Sequence, residues 1–152
     1  MSPREVSKQV IREAPTLSPD DRVRAAVEKL LDSGLPALPV VEDGRPVGIF
    51  GEREFMTALF PGYVKELRFA GFVPKALDEA LEKRADCAEE RVSDHMLTER
   101  IEVSGDYSDV QVAETFLHHR VLIVPVVDDG EVVGVITRAE FFRQLAGRFL
   151  ST

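Results

Sequence analysis

Few side chains in this sequence have the types and spacing of a reactive centre. His118 and His119 adjoin each other, with Glu114 four residues before His118. Neighbours on a helix point in different directions, however, and no Cys-x-x-Cys or His-Glu-x-x-His spacing accompanies them. Surface or dimer-facing histidines are therefore expected, and no metal site. Cys87 lies among Asp86, Glu89 and Glu90, whose charges disfavour a thiolate, so an inert thiol is expected. There is no Gly-x-Ser-x-Gly elbow and no evident pairing of base with nucleophile. Gly44, Gly48 and Gly51 lack phosphate-loop spacing and are assigned to hairpin geometry. The reading is of a non-enzyme. What stands out is Thr137-Arg138-Ala139-Glu140, a hydroxyl and a carboxylate three residues apart. As local structure this is a capping box at a helix start. A second reading of the same pair depends on the repeat that contains it.

The bulk properties narrow the partners. The 152-residue chain carries a net charge of −8, which repels a phosphate backbone, so direct nucleic-acid binding is not expected. A small phosphorylated ligand needs only a few cations and N–H groups converging in one cleft, and is compatible with that charge. The single cysteine cannot form an internal disulfide. The N-terminal residues lack the basic flank and apolar run of a signal peptide, and no apolar stretch is long enough to cross a bilayer. A cytoplasmic protein not held in a membrane is the expectation.

The elements that would position Thr137 and Glu140 come in two copies. Pro39-Val40-Val41-Glu42-Asp43-Gly44 returns as Pro125-Val126-Val127-Asp128-Asp129-Gly130, and Gly44 and Gly130 differ by 86 positions. The same offset joins Val47-Gly48 to Val133-Gly134, Glu54-Phe55 to Glu140-Phe141, and Val6-Ser7 to Val92-Ser93. The two units run over about 5–60 and 91–149, which divides the chain into 1–60, 61–90 and 91–152. In each, an amphipathic helix comes first: Val23, Ala26, Val27, Leu30 and Leu31 ahead of a Gly34 stop, then Val110, Val112, Ala113, Phe116 and Leu117 after a Ser108–Gln111 cap. Two short apolar runs follow, joined by Asp43-Gly44 or Asp129-Gly130, dipeptides suited to a tight hairpin. A closing helix carries Phe55, Leu59 and Phe60, or Phe141, Phe142, Leu145 and Phe149. Pro46 demotes its strand toward an edge. Between the copies, Tyr63 to Phe69 and Pro74 to Ala88 read as helices. Tyr63, Phe69 and Phe72 in this insertion fit a core or a dimer interface.

The apolar-Pro-Val-Val-acidic-Asp-Gly hairpin, followed by Val133-Gly134-Val135-Ile136-Thr137-Arg138-Ala139-Glu140, resembles the repeat of the cystathionine-beta-synthase (CBS) domain family, and Val92-Ser93-Asp94-His95-Met96 is similar to its lead-in helix. The resemblance implies an α+β fold of two pseudo-symmetric β-α-β-β-α repeats packed through their sheets, with a helical insertion between them. It also implies clefts that hold AMP, ADP, ATP or an adenosyl compound, no required cofactor, pairing into a homodimer, and a regulatory output through some effector protein. In such clefts a Thr or Ser after the second hairpin strand contacts phosphate, and an Asp three residues on accepts from the ribose hydroxyls. Thr137 matches, with Ile136 before it, and Arg138 adds a cation. Glu140 replaces the Asp with a carboxylate one methylene longer, still able to take two hydrogen bonds from a cis-diol. In the first copy Gly51 has no hydroxyl and Glu54 stands in the acidic position, so this half-site is expected to be weaker or empty. Thr16 and Glu102 are candidate cleft-lining positions by the same analogy. The competing expectation is a dimerisation or protein-interaction module whose clefts are vestigial.

Overall fold

The computed structural model describes residues 5–60 and 76–152. Its elements follow the order inferred from the doubled sequence, except that the leading strand of the first repeat is reduced to the single bridge of Leu17 with Val40. A lead-in turn α1 (Val6–Gln9) is followed by α2 (Val23–Ser33), the hairpin β1 (Ala37–Glu42) and β2 (Arg45–Gly51), and α3 (Glu52–Leu59). Then come α4 (Ala76–Lys83) and two 3-10 turns, Ala85–Glu89 and Val92–Asp94. The second copy comprises β3 (Val103–Ser104), α5 (Asp109–His118), β4 (Ile123–Asp128), β5 (Glu131–Thr137) and α6 (Arg138–Ser151). The helix expected over Pro74 to Ala88 is thus a shorter α-helix continued by a 3-10 turn. The expectations for Tyr63 to Phe69, for Phe72 and for Pro74 lie outside the described residues.

Local chemistry accounts for each boundary. Gly34 ends α2 in the left-handed region at φ 69°, where a residue without Cβ is unstrained. Both hairpin turns put two successive residues at positive φ, Asp43 and Gly44 at 54° and 82°, Asp129 and Gly130 at 53° and 81°. That conformation matches the twist of the flanking strands. The antiparallel registers are equivalent in the two copies, down to a bulge at Val40/Val41 and again at Val126/Val127. Pro46 lies in β2 opposite Val41, at the bulge. Ser108 caps α5 reciprocally, its Oγ accepting from Gln111 N–H at 3.2 Å and its own N–H donating to Gln111 Oε1 at 2.7 Å.

One core serves both repeats. Leu17, Val23, Leu38, Val40 and Phe50 from the first join Val112, Ile123, Val124, Val135 and Ile136 from the second in one buried cluster, and β1 and β2 contact β4 and β5. The helices use narrower apolar faces than their sequences suggest. In α2, Val23, Ala26 and Leu30 are buried but Leu31 is 77% exposed; in α5, Val112 is buried whereas Val110 and Leu117 are 68% and 84% exposed. A residue one step along a helix is rotated about 100°, so Leu31 and Leu117 turn off the face that Leu30 and Phe116 present. In α6 only Phe141 reaches the core, while Phe142, Leu145 and Phe149 face outward.

The lead-in segments cross over. Arg12, ahead of the first repeat, pairs with Val135 in the hairpin of the second, with Arg12 N–H to Val135 O at 2.9 Å and Val135 N–H to Arg12 O at 2.8 Å. Leu97, ahead of the second repeat, pairs with Ile49 in the hairpin of the first, at 2.8 and 3.0 Å. These crossings explain Gly48 and Gly134. A Cβ on Gly48 would lie 2.7 Å from Leu97 O, and one on Gly134 would lie 2.8 Å from Arg12 O. Gly48 is therefore required by the close approach of an exchanged strand, which corrects its assignment to hairpin geometry.

Candidate functional site

The strand-to-helix junctions β5–α6 and β2–α3 carry six of the eight sequence-predicted ligand positions. At β5–α6 the backbone enters the helix through Thr137 at φ −87° and ψ 146°. Thr137 is 4% exposed, and its Oγ1 accepts from the Glu140 N–H at 3.2 Å. The N-cap bond is thus formed, but not the reciprocal capping box, because the Glu140 carboxylate turns to Arg143. As an acceptor the hydroxyl still has its own proton to donate. Ile136 is fully buried behind it, and Arg138 is exposed. Arg138 N–H donates to Leu122 O at 3.0 Å, so part of the anion-attracting helix start is already partnered. Glu140 is partly exposed and pairs with Arg143 Nη1 at 3.1 Å. A carboxylate in that state remains open to further donors.

The first-copy junction has a different shape. Gly51 enters α3 at φ −157° and ψ −156°, and a Cβ there would overlap Ala37 and the Pro36 carbonyl. The position therefore has no room for the hydroxyl that Thr137 supplies in the second copy. Glu54 turns back to accept from the Gly51 N–H at 2.9 Å, and burial pushes its carboxyl above the usual range. Both groups serve the helix start. The junction nevertheless touches the other repeat, since Arg53 Nη1 donates to Arg120 O at 3.0 Å.

Thr16 and Glu102 occupy equivalent places. Leu17, next to Thr16, bridges to Val40 in parallel, and Val103, next to Glu102, pairs with Val126 in parallel. The Thr16 carbonyl accepts from Lys29 Nζ at 2.9 Å, and Glu102 pairs with Arg100 at 2.9 Å with 15% of its side chain exposed. Glu102 lies between two concavities. One, of about 450 Å³, is walled by the crossing segment Thr98–Glu102, by β2 from Arg45 to Ile49, and by Gly130. The other, about 400 Å³ and more polar, runs along α5 past Tyr107, Gln111, Glu114, His118 and His119. Neither includes Thr137, Arg138, Glu140, Thr16, Gly51 or Glu54. Arg45 had no motif to announce it, because the crossing that builds the first cavity is a tertiary event.

His119 Nδ1 lies 3.0 Å from Glu99 Oε2, and both His118 and His119 line the α5 groove.

The family model described as the CBS domain matches residues 4–61 and again 92–147. Among solved structures, the CBS-pair protein CBSX2 from Arabidopsis thaliana superposes with a TM-score of 0.71 at 20% identity, over 97% of this chain and 98% of that one. CBSX2 in complex with AMP gives 0.66 at 19% identity, over 98% and 100%. MJ1225 from Methanocaldococcus jannaschii gives 0.70 at 22% identity over 93% of this chain, which spans about half of that protein, 48%.

Proposed function

Because the chain belongs to the CBS-domain family, with both repeats of a tandem pair present, we propose that it is a regulatory module that binds an adenine nucleotide or adenosyl compound against the β5–α6 junction. In this reading Thr137 Oγ1 and the Arg138 guanidinium take the phosphate, Glu140 takes the ribose hydroxyls, and Ile136, Glu102 and Thr16 line the approach. The observation that carries it is the contrast between the junctions: Thr137 places a hydroxyl at the start of a 14-residue helix, where Gly51 leaves no space for one. A helix start with a hydroxyl and a flanking cation suits a phosphate. The AMP complex of CBSX2, which shares this fold, supports the ligand class.

The proposed ligand is exchangeable and is not a cofactor, and the module is non-catalytic, so incubation with AMP, ADP or ATP should leave the nucleotide chemically unchanged. Among the described residues no helix is long and apolar enough to cross a membrane, and we place the protein in the cytoplasm. Calorimetric titration of the wild type and of Thr137→Ala/Glu140→Ala tests the site. The double variant is expected to bind at least tenfold more weakly, the scale of losing one charge-assisted hydrogen bond or more. Equal affinity in the two proteins would remove the site from this junction.

A second reading is favoured by one observation. Phe142, Leu145 and Phe149 lie at i, i+3 and i+7 of α6 and are 65%, 44% and 75% exposed. A stripe of that size suits self-association, and we propose a homodimer built on α6, on which an effector protein would read the ligand state. If no nucleotide binds, this interface is the function that remains.

A further inference from the structure

Outside the junctions, three side chains able to ligate a metal meet in the segment between the repeats. Cys87 Sγ, a Glu90 carboxylate oxygen and a His95 ring nitrogen all lie within 4.8 Å of one another. Two tight turns bring them together. The 3-10 turn Ala85–Glu89 closes with Glu90 N–H on Cys87 O at 3.0 Å, and the turn Val92–Asp94 closes with His95 N–H on Val92 O at 3.0 Å. Cys87 is 3% exposed and forms the inner end, whereas the Glu90 and His95 side chains retain 35% and 17% exposure and open toward solvent. His95 Nε2 already sits 2.9 Å from Glu90 Oε1.

We propose that Cys87, Glu90 and His95 form a binding site for a thiophilic divalent cation of the Zn²⁺ type, with a fourth position left to water. Donor distances of about 2.0–2.3 Å to Zn²⁺ place tetrahedral donors roughly 3.3–3.7 Å apart, so the three groups need only small side-chain adjustments. One thiolate, one imidazole and one carboxylate are a donor set that Zn²⁺ accepts and that Mg²⁺ or Ca²⁺ does not. Binding releases the thiol proton to solvent, shifts the ring proton of His95 from Nε2 to Nδ1, and replaces the His95–Glu90 hydrogen bond by two metal bonds. Arg84 shares the carboxylate, with Nη2 on the same Glu90 Oε1 at 2.7 Å and Nε on Ala58 O at 2.9 Å, so it can orient Glu90 as an outer partner of a metal ligand does. On the inner side Cys87 and Arg84 border a largely apolar cavity of about 300 Å³ between α2 and α3, with Val27, Phe55 and Leu59 in its wall.

The position gives the metal leverage on the repeats. Glu90 O accepts from Val23 N–H at the start of α2 at 2.9 Å, and Val92 N–H donates to Asp21 O at 2.8 Å. Two residues beyond His95, Leu97 crosses onto β2. An ion at this point would fasten the second repeat's lead-in to the first repeat.

The full chain is titrated with Co²⁺, which has visible and thiolate-to-metal charge-transfer absorption, and Zn²⁺ is then added to displace it. The expected result is one Co²⁺ per chain with a thiolate charge-transfer band that Zn²⁺ abolishes, no band in Cys87→Ser, and at least tenfold weaker binding in His95→Gln. Circular dichroism confirms that each variant is folded; if Cys87→Ser is not, His95→Gln, at a position open to solvent, carries the comparison. Absence of the band in the wild type, binding without the band as at His118 or His119, or unchanged affinity in folded His95→Gln would overturn the proposal.

Discussion

Asp109 shows how one side chain joins the two repeats. Its carboxylate accepts from the N–H groups of Val6 and Ser7 at 2.9 and 2.7 Å and from Ser7 Oγ at 2.6 Å, across more than 100 residues of sequence. Burial pushes its pKa up, but the bonds from Ser7 and Val6 outweigh burial, and the net shift is downward. A carboxyl depressed in the folded state stabilises above its unfolded pKa of about 3.9, and that stability is lost as pH falls through the lower folded value. Asp109→Ala should cost about 2 kcal/mol at neutral pH, the scale of hydrogen bonds to a charged group. The difference in urea-unfolding free energy between wild type and variant should be flat above about pH 5 and close under more acid conditions. Glu90 follows the same sign: hydrogen bonding from His95 and then Arg84 holds its pKa below the usual carboxylate range. None of these partners could be read in advance. Asp109 has no counterpart in the first copy, where Val23 occupies the equivalent position, so the repeat pattern itself hid it.

At the scale of elements, the glycines separate two kinds of constraint. Gly48→Ala and Gly134→Ala each place a methyl against the backbone carbonyl of a crossing lead-in, at 2.7 and 2.8 Å. Each should destabilise by about 2 kcal/mol, within the range for overpacking a closed site. Gly147, inside α6 with nothing within 4 Å of its Cβ position, is the control. Gly147→Ala should stabilise by about 0.5–1 kcal/mol, because alanine loses less entropy in a helix. Thermal unfolding of the three variants checks both signs. The hairpins, the helix caps and the order of elements were legible because turn dipeptides, capping residues and doubled periodicity are local signals. The exchange of lead-ins was not, since Arg12 meets Val135 and Leu97 meets Ile49 only in the assembled core. The exposure of Leu31, Val110 and Leu117 escaped for a related reason: periodicity locates an apolar stripe but not the width of what covers it. The Cys87–Glu90–His95 cluster escaped because its spacings of three and five residues close through 3-10 turns, outside any familiar helical metal motif.

For the whole molecule, two pseudo-equivalent repeats have become unequal. The second keeps a hydroxyl, a cation and a carboxylate at its strand-to-helix junction; the first has closed its own around Gly51. A module with one serviceable junction and an apolar stripe on α6 fits a single-ligand sensor that acts through its partners. Sedimentation of the wild type should give a dimer, and Phe142→Ser/Phe149→Ser should shift it to monomer while leaving the melting of a folded chain intact. The residues proposed to take a nucleotide were identifiable only as a pattern, and their surroundings were not. Thr137 was readable both as a cap and as a ligand contact. The structure forms the cap and leaves the hydroxyl proton free to donate, so the two roles are compatible.

Whether the β5–α6 junction binds an adenine nucleotide is decided by thermal unfolding of wild type and Thr137→Ala with AMP, ADP, ATP and an adenosyl compound. A ligand at a hundredfold excess over Kd stabilises the folded state by about 2.7 kcal/mol, several degrees for a chain of this size. The account predicts such a shift with at least one of these ligands and its reduction in Thr137→Ala. No shift with any of them, or an equal shift in the variant, would contradict it.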